Sequence, residues 1–272
     1  MAIVTISRGT FSGGQLLAAC VAERLGYRCI SREVFVEAAK QYGVPLEKLS
    51  KALTEPPGFL HHLTAERIHY LAYIRAALCK EVKDDRVVYH GLAGHLLLKG
   101  FPNVLRVRVI ADMEFRIKAA MERQNLSREK AVEFVQKIDE KRVKWTKFLY
   151  HVDWSDPSLY DIVINIERTS IDGACDIVCQ SASLDKFNVT PHVQRVIDDI
   201  LLSTEVRAIL AEGKGIADGG IEIEADGGII TIGGTVGSMG EADKIREIIR
   251  DIPGVKGIHS SLRVRLPVWS MK

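Results

Sequence analysis

Between a β-branched run, Ile3-Val4-Thr5-Ile6, and an amphipathic stretch from about Gln15 to Leu25 stands the segment Ser7-Arg8-Gly9-Thr10-Phe11-Ser12-Gly13-Gly14-Gln15-Leu16. Small residues at a strand-to-helix turn let the backbone wrap an anion closely. Successive N–H groups and the helix N-terminus then supply donors and positive potential. That is phosphate chemistry. Against the spacing GxxxxGK followed by Ser or Thr, Gly9 and Gly14 fall in register, whereas Gln15 takes the lysine position and Leu16 the hydroxyl position. The lysine of such loops brings a point charge to the β/γ-phosphates, and Gln15 offers a hydrogen bond only. Losing a charge-assisted contact at a developing negative charge costs on the order of 2–4 kcal/mol, a hundredfold or more in rate. Arg8 is the nearest cation able to compensate, and Ser12 is the nearest hydroxyl for a magnesium ion. The donor-side candidates are therefore Arg8, Gly9, Ser12, Gly13, Gly14 and Gln15.

A second set lies far along the chain. From Ser127 to about Lys147 a helical stretch carries charge nearly all round, the pattern of an arm projecting from a sheet. Asp139 and Arg142 stand three residues apart on one of its faces, with Arg123 and Lys137 flanking or on it. Phosphoryl transfer rests on positioning and charge neutralisation, so cations that close over phosphates and exclude water suit it. On spacing alone, an ordinary ion pair on a solvated helix is the plainer reading.

These residues need a frame. Arg86-Val87-Val88-Tyr89, Val104 to Ile110 and Tyr160 to Ile166 have strand character, each followed by helical periodicity, which predicts βαβ units and a mostly parallel sheet. A helix through Arg67 to Leu78 places one apolar face in a core. After Asp185 the pattern changes. A helix opens at Thr190-Pro191. Period-two alternation then runs on both sides of Asp226-Gly227-Gly228, predicting a hairpin, and a helix from Glu241 to Arg250 precedes a last strand, Ser261 to Leu266. The expected division is residues 1–186 and 187–272. At 272 residues, 47% hydrophobic and 26% charged, the chain can bury a sizeable core. A net charge of +2 argues against a nucleic-acid binder held by counterion release. No basic, apolar leader opens the sequence and no run of 18 apolar residues spans a membrane. Five scattered cysteines without CxxC spacing suit reduced thiols in the cytoplasm. His61, His62 and His69 lack carboxylate or cysteine partners at ligand spacing, so no metal site is expected there.

Longer tracts carry a resemblance. Ile6-Ser7-Arg8, Ser12-Gly13-Gly14, Ala22-Glu23-Arg24-Leu25-Gly26-Tyr27 with Ser31-Arg32-Glu33, Asp139-Glu140-Lys141-Arg142, and Asp153-Trp154-Ser155-Asp156-Pro157-Ser158-Leu159-Tyr160-Asp161-Ile162-Val163-Ile164-Asn165 resemble the cytidylate kinase-like family over roughly residues 1–182. The resemblance implies an α/β fold: a P-loop parallel sheet with a helical acceptor insert and a lid. It implies phosphoryl transfer from ATP, with Mg2+, to a nucleotide or other small acceptor. Asp139 and Arg142 match the lid pair, with Arg142 touching phosphate and Asp139 orienting it or meeting the acceptor. Arg123 joins them as a catalytic candidate, and Arg32, Arg67, Arg75 and His90 are candidates for the acceptor. The sequence departs from the family at Gln15 and Leu16, at His90-Gly91 where Gly-Arg is usual, and at Ser31 where cytidylate kinases carry aspartate. A catalytically weak nucleotide-binding regulator is the alternative. Residues Ile221 to Val236, with Gly254-Val255-Lys256-Gly257-Ile258 and Leu262-Arg263-Val264, resemble a BON domain, a small α+β unit implying a bound ligand or protein partner and no catalytic residue.

Overall fold

The computed structural model describes residues 1–55, 65–213 and 220–265. Its first sheet is built from β1 (Ile3–Arg8), β2 (Arg28–Ile30), β3 (Val87–Tyr89), β4 (Val104–Ile110) and β5 (Ile162–Asn165), all parallel, in the order β2-β3-β1-β4-β5. Parallel strands are hydrophobic on both faces because helices cover both. Ile3, Val4, Ile6, Val107 and Val109 are accordingly buried. One face is covered by α1 (Gly14–Leu25) and α8 (Ile166–Ala182), which bring Leu17, Val21, Cys175 and Val178 against Val4 and Val107. The other is covered by α2 (Glu33–Tyr42), α3 (Leu46–Thr54), α4 (Ala65–Val82) and the short α5 (Gly94–Leu97), with Val34, Leu49, Ile74 and Leu78 in its core. Strand β2, just before Ser31, is implied by the family resemblance and not by any residue pattern. Its three residues include exposed Arg28 and Cys29, so no apolar run marks it, and pairing with β3 alone defines it.

The polar arm is a pair of helices, α6 (Met113–Gln124) and α7 (Arg128–Tyr150), joined through Asn125 in the left-handed region and capped by Ser127. It does not project along its whole length, as the charge pattern suggested. Near its C-terminal end Trp145 is buried, and its indole Nε1 donates to Ala52 O at 3.1 Å, rooting α7 against α3.

The C-terminal unit comprises α9 (Pro191–Glu212), β6 (Ile221–Asp226), β7 (Ile229–Val236), α10 (Met239–Arg250) and β8 (Gly257–Val264), with β6 antiparallel and β8 parallel to the central β7. Ile230, Ile232 and Val236 face the helices, while Glu222, Glu224, Thr231, His259 and Arg263 face solvent. Gly234 is required where it stands. Its φ is +118°, and a Cβ there would lie 1.9 Å from Gly220 O.

Helix α9 belongs to two cores at once. Ile197, Ala208 and Ala211 join the cluster around α4, while Val206 and Leu210 join the cluster under the small sheet. Its Ile200 approaches Gly100 of the first unit and its Leu202 approaches Gly254 of the second. Ligands of open α/β sheets bind beyond the C-terminal ends of the strands, where neighbouring loops diverge. Here those ends belong to β1, β3 and β4, beside the start of α1.

Candidate functional site

The loop from Gly9 to Gly13 leaves β1 at its C-terminal end and opens α1. Gly13 caps the helix in the left-handed region, φ 77°; Leu16 N and Leu17 N donate to its carbonyl at 3.0 and 3.1 Å, and no side chain caps the first turn. A Cβ on Gly14 would lie 2.7 Å from Arg8 Cβ, so only glycine lets the Arg8 side chain lie across the start of α1. Gly9 is in similar contact with the Arg116 guanidinium, 3.3 Å from where its Cβ would stand. Gln15 and Leu16 are exposed on the first turn. Ser12 departs from its expected role. At 1% exposure, its Oγ donates to Gly9 O (3.0 Å) and Val109 O (3.2 Å), so the hydroxyl is engaged in tying the loop to β4.

The arm closes on this loop. Asp139 Oδ1 accepts from Thr10 Oγ1 at 2.8 Å and from Thr10 N at 3.3 Å, and its other oxygen pairs with Arg116, whose Nε donates to Thr10 O at 2.8 Å. Arg142 Nη1 donates to Arg8 O at 2.8 Å and stands 3.7 Å from Asp139. Burial, together with Arg8, Arg116 and Arg108 nearby, lowers the Arg142 pKa to about 10 against the opposing pull of Asp139. Burial and then Arg123 lower that of Arg8. A crowd of guanidiniums around one carboxylate is short of negative charge, and a phosphoryl group supplies it.

A cavity of about 1000 Å³ adjoins the loop, with Arg8, Arg32, His90, Arg142 and Trp154 among its walls and Phe35, Leu53 and Trp145 on its apolar side. Arg32 is exposed at its rim. His90 is half-buried, and desolvation followed by the charge of Arg8 lowers its pKa, which favours a neutral ring. Two acceptor candidates lie elsewhere. Arg67 donates to Ala52 O at 2.9 and 3.2 Å and also to Glu55 O, closing the end of α3, and Arg75 Nε donates to Leu97 O at 3.2 Å. Both are in α4, whose arginines turn to neighbouring backbone carbonyls rather than to the cavity. Arg123 is exposed on α6 and does not line the cavity, although its charge reaches Arg8. His61 and His62 lie outside the described residues.

Several site residues escaped the sequence reading. Arg108, on β4, is 8% exposed and pairs with no carboxylate among the described residues. Its guanidinium donates to Trp154 O and lies 4.3 Å from the Trp154 ring centre, while Arg142 faces the same ring at 5.7 Å. Tyr160 OH donates to Trp154 O at 2.7 Å and lies 3.2 Å from Ser7 Oγ and 3.3 Å from His95 Nε2. Burial, then Arg108 and Arg106, depress the His95 pKa to about 4. A charged residue at the C-terminal half of an apolar strand was the available signal for Arg108. Arg106, two residues earlier on the same face of the strand, is answered by Asp161 at 2.8 Å.

The residues fit a triphosphate: no side chain caps the first turn of α1, and Arg8 and Arg142 stand beside the glycine loop. Among the described residues no group of three His, Cys, Asp or Glu could hold a metal ion, so magnesium would arrive on the phosphates rather than in a protein cage.

The model of the cytidylate kinase-like family matches residues 3–168, and that of the BON domain matches residues 198–265. A cytidylate kinase of Methanocaldococcus jannaschii is 26% identical over 188 residues, which cover 68% of this chain and 98% of that one. A cytidylate kinase of Methanopyrus kandleri is 28% identical over 196 residues, covering 71% and 95%. The crystal structure of an uncharacterized protein from Eubacterium ventriosum shares the fold of the first unit, with a TM-score of 0.52 at 22% identity over 67% of this chain and 98% of that one.

Proposed function

Because the chain belongs to the cytidylate kinase-like family, we propose that its first unit, residues 1–186, transfers a phosphoryl group from ATP to a nucleotide or another small acceptor. The observation that carries this reading is the meeting of the glycine loop, Arg8 and Arg142 at the mouth of the cavity. The loop binds the donor phosphates through first-turn N–H groups. Arg8, lying across Gly14, supplies the charge that Gln15 lacks. Arg142 neutralises the group in transit, and Arg32 and His90 meet the acceptor from the cavity side. Trp154, held between Arg108 and Arg142, walls the site from water. Bound magnesium supplies charge neutralisation between the donor phosphates. Transfer of this kind needs positioning and electrostatics more than covalent help from the protein. ATP supply and five unpaired cysteines suit a cytoplasmic setting, and among the described residues no helix is long and apolar enough to cross a membrane.

A second reading has its own observation. Gln15 and Leu16 are exposed at the positions of the missing lysine and hydroxyl, and α9 joins the small sheet to α4. A nucleotide-binding regulator, whose residues 187–272 meet a ligand or protein partner, uses the same pocket without efficient transfer. Isotope transfer from ATP to a panel of nucleoside monophosphates and other hydroxyl acceptors tests both, beside thermal-shift titration with ATP and magnesium. Transfer to a definite acceptor is the expected result. A thermal shift without transfer favours the regulator, and the absence of both responses overturns nucleotide binding.

A further inference from the structure

Thr10 contributes two donors at the phosphate loop, its N–H and its hydroxyl, and both point at Asp139 Oδ1, at 3.3 and 2.8 Å. The same carboxylate holds Arg116, the guanidinium packed against Gly9. It is the carboxylate around which Arg116 and Arg142 gather, although it sits on α7, more than a hundred residues from the loop. A carboxylate at this place has the charge and the oxygen acceptors of a phosphate edge. The donors it occupies are of the kind an anion-binding loop offers to a phosphate. An apolar contact reinforces the attachment. Phe11 is left-handed at φ 60°, and its ring lies 6.1 Å from that of Phe134, beside the small core of Ile117, Ala120, Ala131 and Val135. Loop and arm are thus joined by a polar contact that a phosphate can replace and an apolar one that it cannot.

We propose that Asp139 is a built-in competitor of the donor phosphates: its carboxylate and a phosphate oxygen contend for the Thr10 donors and for Arg116. Donor binding displaces the carboxylate and turns the arm's arginines toward the phosphates, while Phe11 keeps the arm attached. The proposal deepens the reading of the loop as an ATP site and rests on it. It gives Asp139 a role opposite in sign to that of a residue that holds the nucleotide or its metal.

The test is ATP titration by calorimetry, with magnesium present, on the full chain and on Asp139→Ala, Asp139→Asn, Thr10→Val and the double variant Thr10→Val/Asp139→Ala, each checked for a native near-ultraviolet spectrum. Removing the competitor tightens ATP binding, about tenfold for Asp139→Ala and less for the isosteric Asp139→Asn, which keeps an acceptor but loses the charge. A lost negative charge alone would also tighten binding, so the cycle decides. With Asp139 present, Thr10→Val changes affinity little, because its hydroxyl is already engaged. With Asp139 removed, the same change weakens binding about threefold. Equal effects of Thr10→Val in both backgrounds overturn the competition, as does weaker binding by Asp139→Ala or Asp139→Asn. If the unaltered chain binds ATP and the cycle is additive, only the competition falls. If the unaltered chain binds no ATP, the loop reading falls and takes the competition with it.

Discussion

The two sheets of this molecule are used in opposite ways. In the five-stranded sheet helices cover both faces, and toward the C-terminal strand ends Arg8 and Arg108 meet Arg116 and Arg142 from the arm. In the three-stranded sheet one face is buried and the other lies open, with acidic Glu222 and Glu224 on one strand and His259 and Arg263 on another. The first arrangement concentrates like charges in a partly desolvated corner, which is unfavourable unless an anion is drawn in. The second spreads charge over solvent, where it interacts weakly. The first unit gathers the cations that an anion would satisfy; the second presents an open polar face and shares α9 with the first.

The sharpest way to break that contrast is at Arg142. Arg142→Ala is expected to lower transfer about a hundredfold to a thousandfold, measured with labelled ATP and the best acceptor, and to leave the small sheet's hydrogen exchange unchanged. A loss below tenfold would remove Arg142 from the transferring group's path. Gly234→Ala attacks the other side. Left-handed strain and the clash with Gly220 O are expected to destabilise the molecule by about 3 kcal/mol, read from denaturant unfolding. If transfer also falls more than about twofold under conditions where the variant is folded, the second unit acts on the first through α9.

Acid provides a third contrast. His95 is folded with its pKa near 4, below the ordinary value of 6.5, so the neutral ring is the folded form. The unfolded chain therefore takes up the proton first. The stability associated with a neutral His95 is fully present above about pH 6.5 and is lost as pH falls toward 4, by up to ~3 kcal/mol. Comparing urea midpoints at pH 7.5 and 4.5 checks it: His95→Gln should flatten the fall, and an unchanged slope would place the acid sensitivity elsewhere. The smallest effect concerns the loop. Gln15→Lys should raise transfer about tenfold by restoring a cation beside the donor phosphates. An unchanged rate in a folded variant would mean that Arg8, across Gly14, already fills that place.

Much of this frame was legible in the residues. The β1 loop and the β6–β7 hairpin announce themselves by β-branched runs ending at glycines, and β4 by its valine-rich run, because those patterns report burial and turn geometry directly. The arm's Asp139–Arg142 pair was legible as a pair, but its partners were not. Thr10 and Arg116 come to it from distant parts of the chain, and only the fold brings them together. Arg67 and Arg75 show the opposite failure. Periodicity placed them on a helix, but which neighbour each meets depends on how α4 rolls against α3 and α5, and both ended on backbone carbonyls. Ser12 was named for its hydroxyl. The loop's path under β4 turned that hydroxyl inward, a consequence of backbone geometry that composition does not carry.

Helix α9 sets how the molecule can be taken apart. A polypeptide stopped at residue 186 would leave uncovered the apolar stripe of α4 that Ile197, Ala208 and Ala211 now shield. A fragment begun after Glu212 would lose Val206 and Leu210 from beneath the small sheet. Neither half carries a complete hydrophobic interior of its own without this shared rod, so heat should melt both in one cooperative step rather than in succession.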